Sequence, residues 1–188
     1  MSTFGSDDVF LDIGANIGRY SVLATVAAGT KTIAVEPFSV NVDALERNIA
    51  LNGLQDDVTA IRAAIHDVTG DGLLQFSERV AGAADQRFRA GPDTDDPAGA
   101  EPLAGYRLDD LVDGGRIAFP THIKIDVDGG EHRLIDGMAE TLRDERLRSI
   151  RLEIQLDETG NPAALERIRQ AGFDCAIDDD RKNFLCRR

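Results

Sequence analysis

Three groups of residues have the types and spacing that chemistry needs. The first is Asp12-Ile13-Gly14-Ala15-Asn16-Ile17-Gly18. Glycines there let the backbone turn sharply and approach a ligand closely. A helix N-terminus expected just beyond them favours a bound carboxylate or phosphate. Asp12 adds an anion beside the bend, which repels a pyrophosphate and suits a ligand bearing an ammonium group. The second is Glu36, at the end of the next apolar run, where a carboxylate can accept hydrogen bonds from ribose hydroxyls. The third is Asp126-Val127-Asp128-Gly129-Gly130-Glu131, three acids gathered around a glycine pair.

The first two groups together predict a nucleoside cofactor carrying both a carboxylate and an ammonium, as S-adenosylmethionine does. NAD fits less well, because its fingerprint is Gly-x-Gly-x-x-Gly and this bend has Gly-x-x-x-Gly. Asp126 and Glu131 are expected to line the site, with Asp128 as a proton acceptor for a hydroxyl. Each acid also has a plain structural reading: Asp12 forms a turn, Glu36 is a solvated strand end, and Asp128 and Glu131 shape a helix start. Three acids can hold a divalent cation through oxygen, but their spacing does not match a Ca²⁺ loop, so no metal is expected. His66 and His132 are read as solvent-facing. Arg79, Arg87 and Arg89 are read as solvating a loop, with an anionic-substrate clamp as the alternative.

These groups need a scaffold that brings strand ends together. Val9–Leu11, Thr32–Val35 and Val58–Ile61 are short apolar runs, separated by helical patterns over 17–28 and from Ser39 to Gly53, with Ser39 as N-cap. Strand–helix–strand alternation predicts a parallel sheet with right-handed crossovers. Leu73–Phe76 is a short extra strand. From Ser77 to Gly105 the pattern fails, and the stretch reads as a mobile insertion rich in Gly, Ala, Asp and Pro. A strand over 121–127, a helical stripe of Leu134, Ile135, Met138 and Leu142, and a strand over 150–154 follow. Asn161-Pro162 starts a last helix. Glu153 ends the strand beside the three acids. Phe173–Ile177 and Asn183–Cys186 form a closing hairpin, with Cys175 opposite Cys186 if the turn centres between Asp180 and Arg181.

A chain of 188 residues reads as one domain spanning 1–188, with a flexible insertion at about 77–105. Its net charge of −13 disfavours a nucleic-acid partner, which normally needs a basic face; Arg143, Arg146, Arg148 and Arg151 cluster, but read as a solvated helix end and strand edge. No run approaches the roughly 20 apolar residues of a membrane span, so no membrane partner is expected. The absence of a signal-like segment points to a cytoplasmic protein. Two cysteines are too few for a disulfide framework, and both are expected to be reduced and buried. Nothing specifies an oligomeric state.

The chain resembles the FkbM-type methyltransferases. The likeness runs through Asp12 to Gly18, Val35-Glu36-Pro37, Asn48 with Asn52-Gly53, Ala64-Ile65-His66-Asp67, Leu108-Asp109-Asp110-Leu111 and Lys124 to Glu131. The last two motifs, in that order and spacing, are the more specific. The resemblance implies a class I methyltransferase fold: an α/β, Rossmann-like, doubly wound sheet of seven strands with the last hairpin antiparallel. It implies that Asp12, Gly14, Asn16 and Gly18 hold the methionine part of S-adenosylmethionine and Glu36 its ribose. Pro37, Phe38 and Arg62-Ala63-Ala64 would lie near the adenine, and Asp126 near the cofactor. Most relatives methylate oxygen, so a hydroxyl on a small molecule or sugar is the expected acceptor. Two departures stand out: Asp128 replaces a common Glu, and the first strand starts about eight residues from Met1, without the N-terminal elements that usually help cover the site. That second departure keeps open a non-catalytic cofactor-binding module; an NAD-dependent oxidoreductase is the remaining alternative.

Overall fold

The structure is a computed structural model and describes residues 4–84, 86–91, 99–156, 159–177 and 183–188. In chain order the elements are β1 (Val9–Ile13), α1 (Arg19–Ala28), β2 (Lys31–Glu36), α2 (Ser39–Leu51), β3 (Val58–Arg62), β4 (Ala64–Ile65), β5 (Gly70–Gln75), β6 (Arg87–Ala90), β7 (Ala100–Tyr106), α3 (Leu108–Asp113), β8 (His122–Ile125), α4 (Glu131–Asp136), α5 (Ala139–Arg143), β9 (Ser149–Glu153), α6 (Asn161–Gln170), β10 (Asp174–Ile177) and β11 (Asn183–Arg187). Seven strands form one sheet in the order β10-β11-β9-β8-β1-β2-β3. β9, β8, β1, β2 and β3 run parallel. The closing hairpin is antiparallel, and β11 is the strand that runs against β9. This is the doubly wound α/β sheet expected.

Alternation along the strands assigns the two faces. Ile33 and Val35 of β2 join Ile123 and Ile125 of β8 in the large core, with Leu134, Leu142 and Ile168 from α4, α5 and α6. Ala34 faces the other way, into a cluster with Leu45 and Ile49 of α2. On that second face α1 is inverted. Its buried residues are Ser21 and Thr25, while Tyr20, Leu23 and Val26 are exposed. Ser21 donates to Asp12 (2.7 Å) and Thr25 bonds Thr32 (2.8 Å), so polar contacts rather than apolar packing seat this helix.

The stretch expected as a mobile insertion supplies β6 and β7 to a second sheet, in the order β4-β7-β5-β6; Pro92 and Pro97 lie outside the described residues. Hydrophobicity hid β7 because its inward residues are Glu101, Leu103 and Gly105, one acid and one glycine among three. The Phe88 ring lies where a Cβ on Gly72 or Gly105 would stand, so glycines on two neighbouring strands make its slot. Glu101 also corrects the expected cap of α2. Phe38 occupies the N-cap, Ser39 is the first helical residue, and Glu101 accepts its N–H and hydroxyl, both at 2.8 Å. A carboxylate at a helix N-terminus meets both free N–H groups and a favourable dipole. Arg62 (3.1 Å) and Arg79 (3.4 Å) pair with it as well. Asn161 is likewise inside its helix, with Gly160 as N-cap.

Two further expectations change. The stripe from Leu134 to Leu142 is split into α4 and α5 at Gly137, where a Cβ would strike the His66 carbonyl. Cys175 does face Cys186 in register, but the two are joined in a disulfide, with Cα atoms 3.9 Å apart, and are not reduced thiols. Among the described residues no helix is long and apolar enough to cross a membrane.

Reducing the disulfide, which spans 11 positions, is expected to lower unfolding free energy by about 2–3 kcal/mol; urea melts with and without dithiothreitol check this. Burial pushes the Glu101 carboxyl up, but the Ser39 bonds and Arg62 outweigh it and hold the pKa below the ordinary 4.5. Its stabilisation is therefore present above 4.5 and lost as pH falls through the lower folded value. Glu101→Gln should cost about 1–3 kcal/mol at pH 7. The gap to the parent should narrow below pH 4.5, read from denaturation midpoints across pH.

Candidate functional site

The glycine bend rests on a buried charge cluster. Gly14, Asn16 and Gly18 all have positive φ, and a Cβ on Gly14 would fall on the Asp126 carbonyl. The bend is therefore packed directly against the end of β8. Lys124 rises from β8 beneath it, only 6 % exposed. Its ammonium lies 3.0 Å from the Gly14 carbonyl, 3.2 Å from Asp12 and 3.2 Å from Asp126. The ammonium thus donates a hydrogen bond to the carbonyl and forms ion pairs with both carboxylates, with the Tyr20 ring 5.1 Å away. Asp12 is fully buried, so its charge is answered inside the protein by Lys124 and Ser21. It braces the bend from below and is not presented to a ligand. Sequence reading assigned Lys124 no role, although one lysine in an otherwise apolar strand signals a buried partner.

Glu36 ties the end of β2 to the bend. One oxygen accepts the Asn16 N–H at 2.8 Å; the other accepts Phe38 N–H and the Asn41 amide, each at 3.1 Å. Only 3 % of Glu36 is exposed. Burial pushes its pKa up, against these bonds and Lys124. The Ala83 carbonyl accepts the side-chain amides of Asn16 (3.4 Å), Asn41 (3.4 Å) and Gln86 (2.8 Å). The Gly82 N–H donates to Asn41 at 2.8 Å. The segment before β6 is thus folded over Glu36.

Beside this arrangement opens a cavity of about 280 Å³. Gly14, Val35, Pro37, Ala63 and Ala64 line it together with Ile65, His66, Leu74, Arg87, Phe88, Val127, Gly129, Gly130, His132 and Arg133; Ala64 and Leu74 share one apolar cluster, with Phe88 packed against it. Of the residues expected around an adenine, Pro37, Ala63 and Ala64 are on the wall. Phe38 is fully buried behind it, its ring 4.9 Å from Phe76, and Arg62 turns away to Pro102 and Glu101. The three acids are dispersed. Asp126 is 46 % exposed and paired with Lys124. Asp128 accepts the Gln86 N–H at 3.4 Å. Glu131 is buried and accepts from Asn161 at 3.3 Å, so it braces α4 against α6 and is not on the cavity wall. Among the described residues no group of three or more His, Cys, Asp or Glu is placed to hold a metal ion.

His66 is not solvent-facing. It is buried, its Nδ1 lies 2.6 Å from Asp67, and its ring packs edge-on to Phe88 at 5.3 Å. Burial lowers its pKa against the opposing pull of Asp67. His132 also lines the cavity, against Gly160, where a Cβ would strike its ring.

A family model described as "Methyltransferase FkbM domain" matches residues 12–175. The chain belongs to this methyltransferase family. A curated relative, the hexuronic acid methyltransferase AglP of Haloferax volcanii, is 27 % identical over 137 residues, covering 73 % of this chain and 52 % of that protein. The crystal structure of a methyltransferase FkbM from Methylobacillus flagellatus superposes with a TM-score of 0.71 at 14 % identity, covering all of this chain and 45 % of that one. An RNA methyltransferase from Salinibacter ruber, solved with S-adenosyl-L-homocysteine, gives a TM-score of 0.52 at 12 % identity over 97 % of this chain and 80 % of that one. The chain thus spans about half the length of the first two.

Lys124→Met would leave Asp12 charged and buried with no cation. It should cost about 3–5 kcal/mol of stability, the scale of breaking a buried pair, read from urea melts. Adding Asp12→Asn should recover much of that loss.

Proposed function

We propose that this methyltransferase uses S-adenosylmethionine and methylates a hydroxyl on a small molecule or sugar. The carrying observation is the Glu36 carboxylate at the end of β2, bonded to the glycine bend and next to a cavity lined by Pro37, Ala63 and Ala64. These three residues are apolar, which suits a purine; a carboxylate beside them suits the two ribose hydroxyls. The donor set fits the group on both counts. When bound, the cofactor supplies a methyl already activated by its sulfonium.

The residues then have distinct tasks. Glu36 and Asn16 take the ribose side once the Ala83 carbonyl yields its amides. Asp126, half exposed at the end of β8, is the acid available to an ammonium, since Asp12 is not. Gly129 and Gly130 keep the floor low, so that an acceptor hydroxyl can line up with the methyl carbon; alignment and exclusion of water carry most of such a displacement. Asp128, on the same turn, is the group that would accept the proton of the acceptor hydroxyl. The likeness to a hexuronic acid methyltransferase supports a sugar-sized acceptor.

Calorimetric titration with S-adenosylhomocysteine tests this. The parent should bind it and not NAD. Glu36→Gln should weaken binding by about 1–3 kcal/mol, the scale of hydrogen bonds to a charged acceptor, while thermal melts confirm that the variant is folded. Binding of NAD alone would overturn the proposal, and unchanged affinity in a folded Glu36→Gln would remove Glu36 from the site.

A further inference from the structure

Charge is distributed against the trend of the chain in this cavity. Asp and Glu outnumber Lys and Arg by 34 to 21 overall. Yet every ionisable residue on the cavity wall, among the described residues, is basic: His66, Arg87, His132 and Arg133. All four lie on or beside β4, β6 and α4 and belong to the part of the lining that the reading above does not assign to the cofactor. Asp67, behind the wall, answers two of them, at 2.6 Å from His66 and 3.2 Å from Arg133. Arg87 has no ion-pair partner among the described residues. It is exposed on β6, and the neighbouring Phe88 presents an aromatic ring to the same space.

A guanidinium at the mouth of a pocket, with no counter-ion among the described residues, favours a planar anion, which it can grip with two parallel N–H donors. An aromatic ring beside it favours the C–H face of a pyranose. Ile65 and Leu74 complete an apolar wall that a small free anion would not need. We infer that the acceptor is a sugar acid, and that Arg87 is the specificity-determining residue that binds its carboxylate while Phe88 packs on the ring. This rests on the methyl-transfer reading. It adds which acceptors are admitted: neutral sugars of the same size lack the group that Arg87 holds.

The test is binding to the full chain saturated with S-adenosylhomocysteine, by calorimetry with D-glucuronate, D-glucose and D-glucose 6-phosphate. D-Glucuronate should bind at least about tenfold more tightly than D-glucose, the scale of one charge-assisted pair. Arg87→Gln should bring the two to within about twofold, with S-adenosylhomocysteine affinity and melting temperature unchanged, and Arg87→Lys should restore part of the preference. Equal affinities, no binding of either sugar, or a preference that survives Arg87→Gln would overturn the inference. Tighter binding of D-glucose 6-phosphate than of D-glucuronate would overturn the carboxylate. Failure of S-adenosylhomocysteine itself to bind would instead sink the methyl-transfer reading, so the two failures are told apart.

Discussion

Lys124 holds an ammonium where water scarcely reaches, between two carboxylates and a carbonyl from the ends of β1 and β8. Burying a charge costs several kcal/mol unless partners replace its hydration. The bend at Gly14, the start of β1's turn at Asp12 and the end of β8 must therefore sit where they do. Gly14 has no side chain because the Asp126 carbonyl occupies that space. α1 turns hydroxyls inward because Asp12 still has an oxygen to satisfy and Ser21 supplies the donor. The inverted helix and the glycine bend are two consequences of one buried pair.

The second sheet makes the site a pocket instead of an open sheet edge. Glu101 fastens β7 to the N-terminus of α2, and Phe88 locks β6 over Gly72 and Gly105. Through these two contacts the segment between β5 and α3 becomes a wall. The same segment delivers the Ala83 carbonyl to Asn16 and Asn41, directly over the carboxylate proposed to bind a ribose. Opening the site to a cofactor then exchanges amide–carbonyl bonds for bonds to the ligand, with little net change in the number satisfied.

The glycine bend and the cavity lining differ in sign. Acids lie behind the glycine bend, and bases are the ionisable groups on the described cavity wall. A donor that is cationic at its reacting sulfur and an acceptor that is anionic would be sorted by this field before any close contact forms. The net charge of −13 describes solubility and long-range repulsion, and says little about so local a gradient.

Much was legible in the chain itself, because the strand–helix alternation and the glycine spacing are periodic, local signals. The parallel strands of the main sheet, the bend from Asp12 to Gly18, Glu36 at a strand end and the facing of Cys175 and Cys186 across the hairpin all follow from neighbours in sequence. What tertiary structure decided were partnerships between distant residues. A buried acid faces inward if a lysine about a hundred positions away meets it, so Asp12 became a brace and not a ligand contact. Glu131 went to Asn161, and Ser39 received its cap from Glu101. β7 escaped notice because one of its inward residues is an acid that only α2 and Arg62 make affordable to bury. Types and spacing say what a residue can do; which partner fills its valences depends on contacts that no local period encodes.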